Sequence, residues 1–204
     1  MAHQDPALSQ RFSGEGDVAP LTEADLVAAV RAGNQQASGA FYERLRAPID
    51  RALLRVFGRR EQDHEDFVQI TLEQVVDSIA TRAFRGHCSL RTWAMLIGSR
   101  VALGEIRRRV RRGPHYEPDV EPSNAVDEIE RLQARQLLRR VRSALALLGQ
   151  RSADVVYLSD VEGYSEAEVA QTLGISLAAT HSRLVRGRQR MKATLRDVLE
   201  GDDG

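Results

Sequence analysis

Arg183, Arg186 and Arg190 stand three and four residues apart, and Ala179 and Ser182 share their side of a helical wheel. A guanidinium can grip the edge of guanine through two parallel hydrogen bonds, or hold a backbone phosphate. Thr180, Leu184, Gly187, Met191 and Leu195 fall on a second stripe and form the face expected to pack inward. Upstream, Ser165-Glu166-Ala167-Glu168 has the form of a capping box, with the serine starting a helix and Glu168 reaching back to it. Val169, Ala170 and Leu173 point inward, Gly174 ends that helix, Ile175 packs in the turn and Ser176 caps the next helix. A helix, a tight turn and a basic second helix is the arrangement that sets a recognition helix into the DNA major groove. In it Arg183, Arg186 and Arg190 suit base or phosphate contact, and His181 and Ser182 suit the backbone. The alternative is a helical hairpin with a solvated basic face.

A second pattern carries the opposite charge. Val68, Leu72, Val75 and Ile79 make one stripe of a helix expected near 63–83, while Asp66, Gln69, Glu73 and Asp77 lie nearly opposite. An acidic, amide-bearing face repels DNA and suits a basic protein partner; alone, it would read as ordinary solvated charge. The stretch from Phe84 to Trp93 follows, with Arg85, Gly86, His87 and Ser89 between helices. An aromatic, a glycine and several donors there suit capture of an unstacked base, and stacking is worth about 1–3 kcal/mol per base. The competing reading makes Phe84 and Trp93 core aromatics, with Ile97 and Val101 continuing the tryptophan's stripe. His87 and Cys88 raise nucleophilic or metal chemistry but have no supporting partner pattern. The run Arg107-Arg108-Arg109-Val110-Arg111-Arg112 points all around its wheel. Beside a base-binding loop, it suits phosphate neutralisation.

The elements that must position these residues are helices. Thr22, with Asp25 at the third position, caps a first helix that Gly33 ends; a second spans about 36–57 with Pro48 inside, as a kink or as a new start. A fourth runs from about Leu90 to Arg112, another from Val126 to about Leu148, and three shorter ones lie near 151–160, 166–173 and 177–199. Alternating strand patterns with Asn-Gly or Asp-Gly turns are absent, so the fold class is all-α. Gly113, Pro114, Pro118, Pro122 and Ser123 mark a linker over 113–125. The expected organisation is a flexible tail at 1–20, a helical domain at 21–112, the acidic linker, a helix-turn-helix domain at 126–199 and a short tail at 200–204.

At 204 residues and 22.7 kDa the chain fits one large domain or two small ones. No apolar run is long enough to span a bilayer, and Met1 to Pro20 lacks the form of a secretory signal, which reads as a cytoplasmic protein. Cys88 is the single cysteine, so neither an internal disulfide nor a structural zinc site is expected. The net charge of zero conceals segregation. Seven arginines face one carboxylate between Ser89 and Arg112, and six carboxylates face no base between Pro114 and Glu130. From Leu177 to Leu199 five arginines and Lys192 face Asp197 alone.

Taken in order, these segments resemble group IV (extracytoplasmic-function, ECF) sigma factors, the two-domain form of the bacterial sigma-70 family. The resemblance covers about residues 21 to 197. It rests on Ala32-Gly33-Asn34 with Ala40-Phe41, Glu65-Asp66-Phe67-Val68-Gln69, Phe84-Arg85-Gly86 and Leu90-Arg91-Thr92-Trp93 in the first domain. In the second it rests on Gly163-Tyr164-Ser165, Glu168-Val169-Ala170, Leu173-Gly174-Ile175-Ser176 and Ser182-Arg183-Leu184 with Arg186 and Arg188.

The resemblance implies an RNA polymerase sigma factor, which is not itself an enzyme and carries no catalytic residue, cofactor or metal. Asp66, Gln69, Glu73 and Asp77 would dock on core RNA polymerase. Phe84, Arg85, Gly86, His87 and Ser89, with Arg100, Arg107 and Arg108, would capture and melt the −10 element. Ala179, His181, Ser182, Arg183, Arg186 and Arg190 would read the −35 element. The acidic linker would thread toward the RNA exit path. Members of the family are commonly held inactive by an anti-sigma factor. Arg100 and Gly104 stand where the family usually has Asn and Asp, and Ile70 replaces a usual Glu. A helix-turn-helix transcriptional regulator that no longer engages core polymerase is the alternative.

Overall fold

The computed structural model describes residues 21–34, 37–112 and 126–200; the expected tail at 1–20, the linker at 113–125 and residues 201–204 lie outside them. Every regular element among the described residues is helical: α1 Glu23–Arg31, α2 Ser38–Phe57, α3 His64–Ala80, α4 Leu90–Arg112, α5 Val126–Leu147, α6 Gln150–Val156, α7 Glu166–Leu173 and α8 Leu177–Glu200, with a π-helical turn Tyr157–Val161 after α6. Packing divides the chain into two compact units between Gly98 and Ser99, inside α4.

In the first unit, Thr22 closes a capping box with Asp25: its hydroxyl accepts from the Asp25 N–H while the Asp25 carboxylate accepts from the Thr22 N–H. Gly33 adopts a left-handed φ of 70°, where side-chain-bearing residues are strained. Helix α2 continues through the buried Pro48, so the proline lies within one helix and starts no second one. Leu26, Phe41, Leu45, Ile49, Leu53, Val68, Leu72, Val75 and Ile79 bury the apolar stripes of α1, α2 and α3, joined by Leu90, Leu96 and Ile97 from α4. Gly98 of α4 packs against α2 and α3, where a β-carbon would meet Ala52 Cβ at 3.4 Å and Thr71 Cγ2 at 3.6 Å, ordinary contact distances.

The second unit takes in α4 from Ser99 onward, with Ala102 and Leu103 buried, and has its core around α6 and α8. Ala144, Leu145 and Ala146 of α5 are buried there with Leu148, Val155, Val156, Tyr157, Leu158, Val169 and Leu184. The capping box expected at Ser165 is present, its hydroxyl accepting from the Glu168 N–H and its own N–H donating to Glu168. Gly174 ends α7 at a left-handed φ of 63°, and Ser176 Oγ accepts from the Ala179 N–H at the start of α8. The stripe assigned inward on α8 is inward: Thr180, Leu184 and Gly187 are buried, Met191 and Leu195 half-buried. A β-carbon on Gly187 would lie 2.7 Å from Val156 Cγ2, on a β-branched side chain with little freedom to move. Gly187→Ala is therefore expected to destabilise this unit by about 1–3 kcal/mol through overpacking, read as a lower midpoint in thermal unfolding with the helical signal intact before the transition.

Candidate polymerase and promoter interfaces

Helix α3 presents Asp66, Gln69, Glu73 and Asp77 together on an exposed face, with Gln69 Nε2 donating to Glu73 Oε1 at 2.9 Å. Ile70 and Val76, 40% and 39% exposed, interrupt the carboxylates with apolar surface. The start of the helix is pinned from α2. Arg46 makes a two-pronged contact with Glu65, at 2.7 and 2.8 Å, which holds the Glu65 carboxyl below its usual range. Buried His64 places Nε2 2.8 Å from Asp50 Oδ1.

The loop between α3 and α4 divides the residues expected at the −10 element. Arg85, Gly86, His87 and Ser89 are exposed, and Gly86 takes a left-handed φ of 74°. Phe84 is 4% exposed and its ring lies 5.8 Å from that of Trp93, so it lines the core beneath the loop and offers no free stacking face. Trp93 Nε1 donates to Ser78 Oγ at 2.8 Å. Ser89 caps α4, its Oγ accepting from the Thr92 N–H at 3.1 Å. Cys88 is half-buried, and burial, reinforced by the negative charge of Glu23, pushes its thiol up to about 11. At pH 8 about one thiol in a thousand is then ionised, so alkylation of the native protein is expected to be slow and to rise steeply toward pH 11. Rapid labelling at neutral pH would contradict that environment. Among the described residues, no three His, Cys, Asp or Glu side chains gather as a metal site.

Arg100, Arg107, Arg108 and Arg109 of α4 find partners within the second unit. Arg100 donates from Nε and Nη2 to the two oxygens of Asp154, both at 3.0 Å. Arg107 donates to the carbonyls of Ala146 at 2.6 Å and Leu148 at 3.0 Å. Arg108 pairs with Glu105 at 2.7 Å, which also accepts from Arg109 at 2.8 Å. Sequence reasoning misses Asp154. The signal for it is a lone carboxylate inside the apolar run Ala153 to Leu158, where a charge needs a partner.

On α8, His181, Ser182, Arg186 and Arg190 are exposed, while Ala179 and Arg183 are half-buried. His181 Nδ1 lies 3.2 Å from the Glu166 carboxylate, and Arg186 Nε donates to the Ser182 carbonyl at 3.1 Å. Arg188, on the neighbouring face, is bound to Asp160 of the π-helical turn, with Nε 3.0 Å from Oδ2.

Two family models match the chain, Sigma-70 region 2 over residues 41–112 and Sigma-70 region 4 over residues 138–191. The chain belongs to the sigma-70 family. The RNA polymerase sigma factor CnrH of Cupriavidus metallidurans is 33% identical over 85% of this chain and 95% of that protein. The ECF RNA polymerase sigma factor SigM of Mycobacterium tuberculosis is 27% identical over 85% of each. A solved structure of CnrH in complex with the cytosolic domain of CnrY aligns with TM-score 0.45 and 28% identity, over 84% of this chain and 96% of that one. Within the family this chain is an RNA polymerase sigma factor of the ECF type. No helix among the described residues is long and apolar enough to cross a membrane.

Proposed function

We propose that this sigma factor docks on core RNA polymerase through the acidic face of α3, reads a −35 element with α8, and opens a −10 element with the loop before α4. The observation that carries the reading is the pairing, in one chain, of an exposed carboxylate face inside the region 2 match with a capped helix-turn-helix inside the region 4 match. Asp66, Gln69, Glu73 and Asp77 supply charge and amide groups for a basic surface of the polymerase. Arg183 serves base readout, and Arg186 and Arg190 serve phosphates, with Ser182, His181 and Ala179 completing the groove-facing side. At the −10 element Arg85, Gly86, His87 and Ser89 are the accessible contacts. Phe84 acts as a floor that fixes the loop. Base capture diverts the cost of unstacking, a few kcal/mol, into site-specific binding. Phosphodiester chemistry belongs to the polymerase.

Run-off transcription with purified core polymerase on a promoter library tests this reading. Specific initiation that depends on the added chain is the expected result. DNA binding without initiation would leave a helix-turn-helix regulator in its place.

A further inference from the structure

We propose that Arg82, just past the end of α3, is a further −10 contact, its guanidinium holding a phosphate of the strand whose base the loop before α4 captures; this rests on the sigma-factor reading. Among the described residues Gly33, Gly58, Gly86, Gly163 and Gly174 adopt a left-handed φ. Arg82 is the one residue with a side chain that joins them, at φ 59°. A β-carbon crowds the following carbonyl there, so glycine would fit at lower cost. A side chain kept against that cost implies a use for it.

The backbone around Arg82 is fixed. Its N–H donates to the Ile79 carbonyl at 3.1 Å, and the Thr81 N–H donates to the Asp77 carbonyl at 2.8 Å. Two residues on, the Phe84 N–H donates to the Ser78 carbonyl at 2.8 Å, and the Phe84 carbonyl accepts from Arg31 Nη2 at 3.2 Å. The Arg82 side chain is exposed, and among the described residues no carboxylate or carbonyl holds its guanidinium. An open planar fork on a rigid base suits a phosphate. It offers parallel N–H bonds to two oxygens and leaves little backbone to order on binding. The surroundings carry one sign, since Thr81 to Ser89 hold exposed Arg82, Arg85 and His87 and no carboxylate.

The competing use of a cation here is to complement the negative end of the α3 dipole. The last turn of α3 carries no base, and Ala80 is exposed in it. A cation serving the dipole alone would sit there in right-handed backbone, without strain. Arg82 instead lies beyond the helix end, in the segment that carries Arg85, Gly86, His87 and Ser89.

The test is binding of a fluorescent, mixed-sequence single-stranded DNA to the full chain, followed by anisotropy over a range of salt. Arg82→Asn removes the charge and supplies a residue that tolerates the left-handed region. It is expected to bind about 3–10-fold more weakly at low salt and to lower the salt slope by about 0.7, the share of one phosphate on a single strand. Arg82→Gly also relieves the backbone and should lose the same affinity with no loss of thermal stability. Arg51→Asn removes an exposed arginine of α2 and is expected to change binding less than about twofold. Binding unchanged in both Arg82 variants would overturn the proposal, and a lower thermal midpoint alongside it would make the residue a helix-end cation. An equal loss with Arg51→Asn would also overturn it, reducing the effect to net charge. Run-off by the unsubstituted chain, with DNA binding indifferent to Arg82, refutes this contact alone. A chain that gives no run-off refutes the sigma-factor reading and the −10 role with it.

Discussion

Asp66→Arg is expected to abolish assembly with core polymerase, a loss of at least about 100-fold, while DNA binding by α8 is retained. Asp66 is exposed in the first turn of α3, beside Gln69 and ahead of Glu73 and Asp77 on the same face. Replacing attraction by like-charge contact at an interface costs several kcal/mol, enough for that loss. Folding should survive, because an exposed carboxylate at a helix start contributes only about 0.3–1 kcal/mol through the dipole. Glu43→Arg on α2 imposes the same charge change outside the docking face and should leave assembly intact. Co-elution of the variants with core polymerase on size exclusion separates the outcomes. Undiminished co-elution of Asp66→Arg would remove α3 from the docking surface.

Much of this architecture can be read from the sequence because local chemistry dictates it. Thr22 with Asp25 and Ser165 with Glu168 satisfy helix-start donors within four residues, and both capping boxes form as the spacing requires. Gly174 takes the left-handed turn that a β-carbon would strain. The face assignments on α3 and α8 follow from period alone, and burial agrees with them at Val68, Leu72, Thr180 and Leu184. Side-chain partners separated by many residues are another matter. Periodicity cannot tell that Arg100 meets Asp154, 54 residues on, or that Arg107 meets carbonyls 39 and 41 residues on. Phe84 illustrates the same limit. Its neighbours Arg85 and Gly86 suggest an open base-binding loop, but whether an aromatic faces out or in depends on Trp93, which packs beneath it.

Arg183→Ala is expected to weaken binding to a preferred −35 sequence by about 1–3 kcal/mol and to bind unrelated sequences almost as before. Arg183 is half-buried near the start of α8, whereas Arg186 and Arg190 are exposed further along it. A recognition helix touches base edges with its N-terminal residues and leaves phosphates to later ones. Substituting Arg186 or Arg190 should therefore lower affinity for every sequence by a similar factor and reduce the salt dependence by about one counterion. Arg183 also lies within electrostatic reach of Asp154, whose burial pushes its carboxyl above the usual range despite the Arg100 pair. Removing Arg183 takes a favourable charge from that carboxylate, so a small loss of stability should accompany the loss of specificity. Binding measured over a range of salt on preferred and scrambled −35 duplexes distinguishes the roles. A uniform loss with Arg183→Ala would make that residue a phosphate contact and move base readout to another side chain of α8.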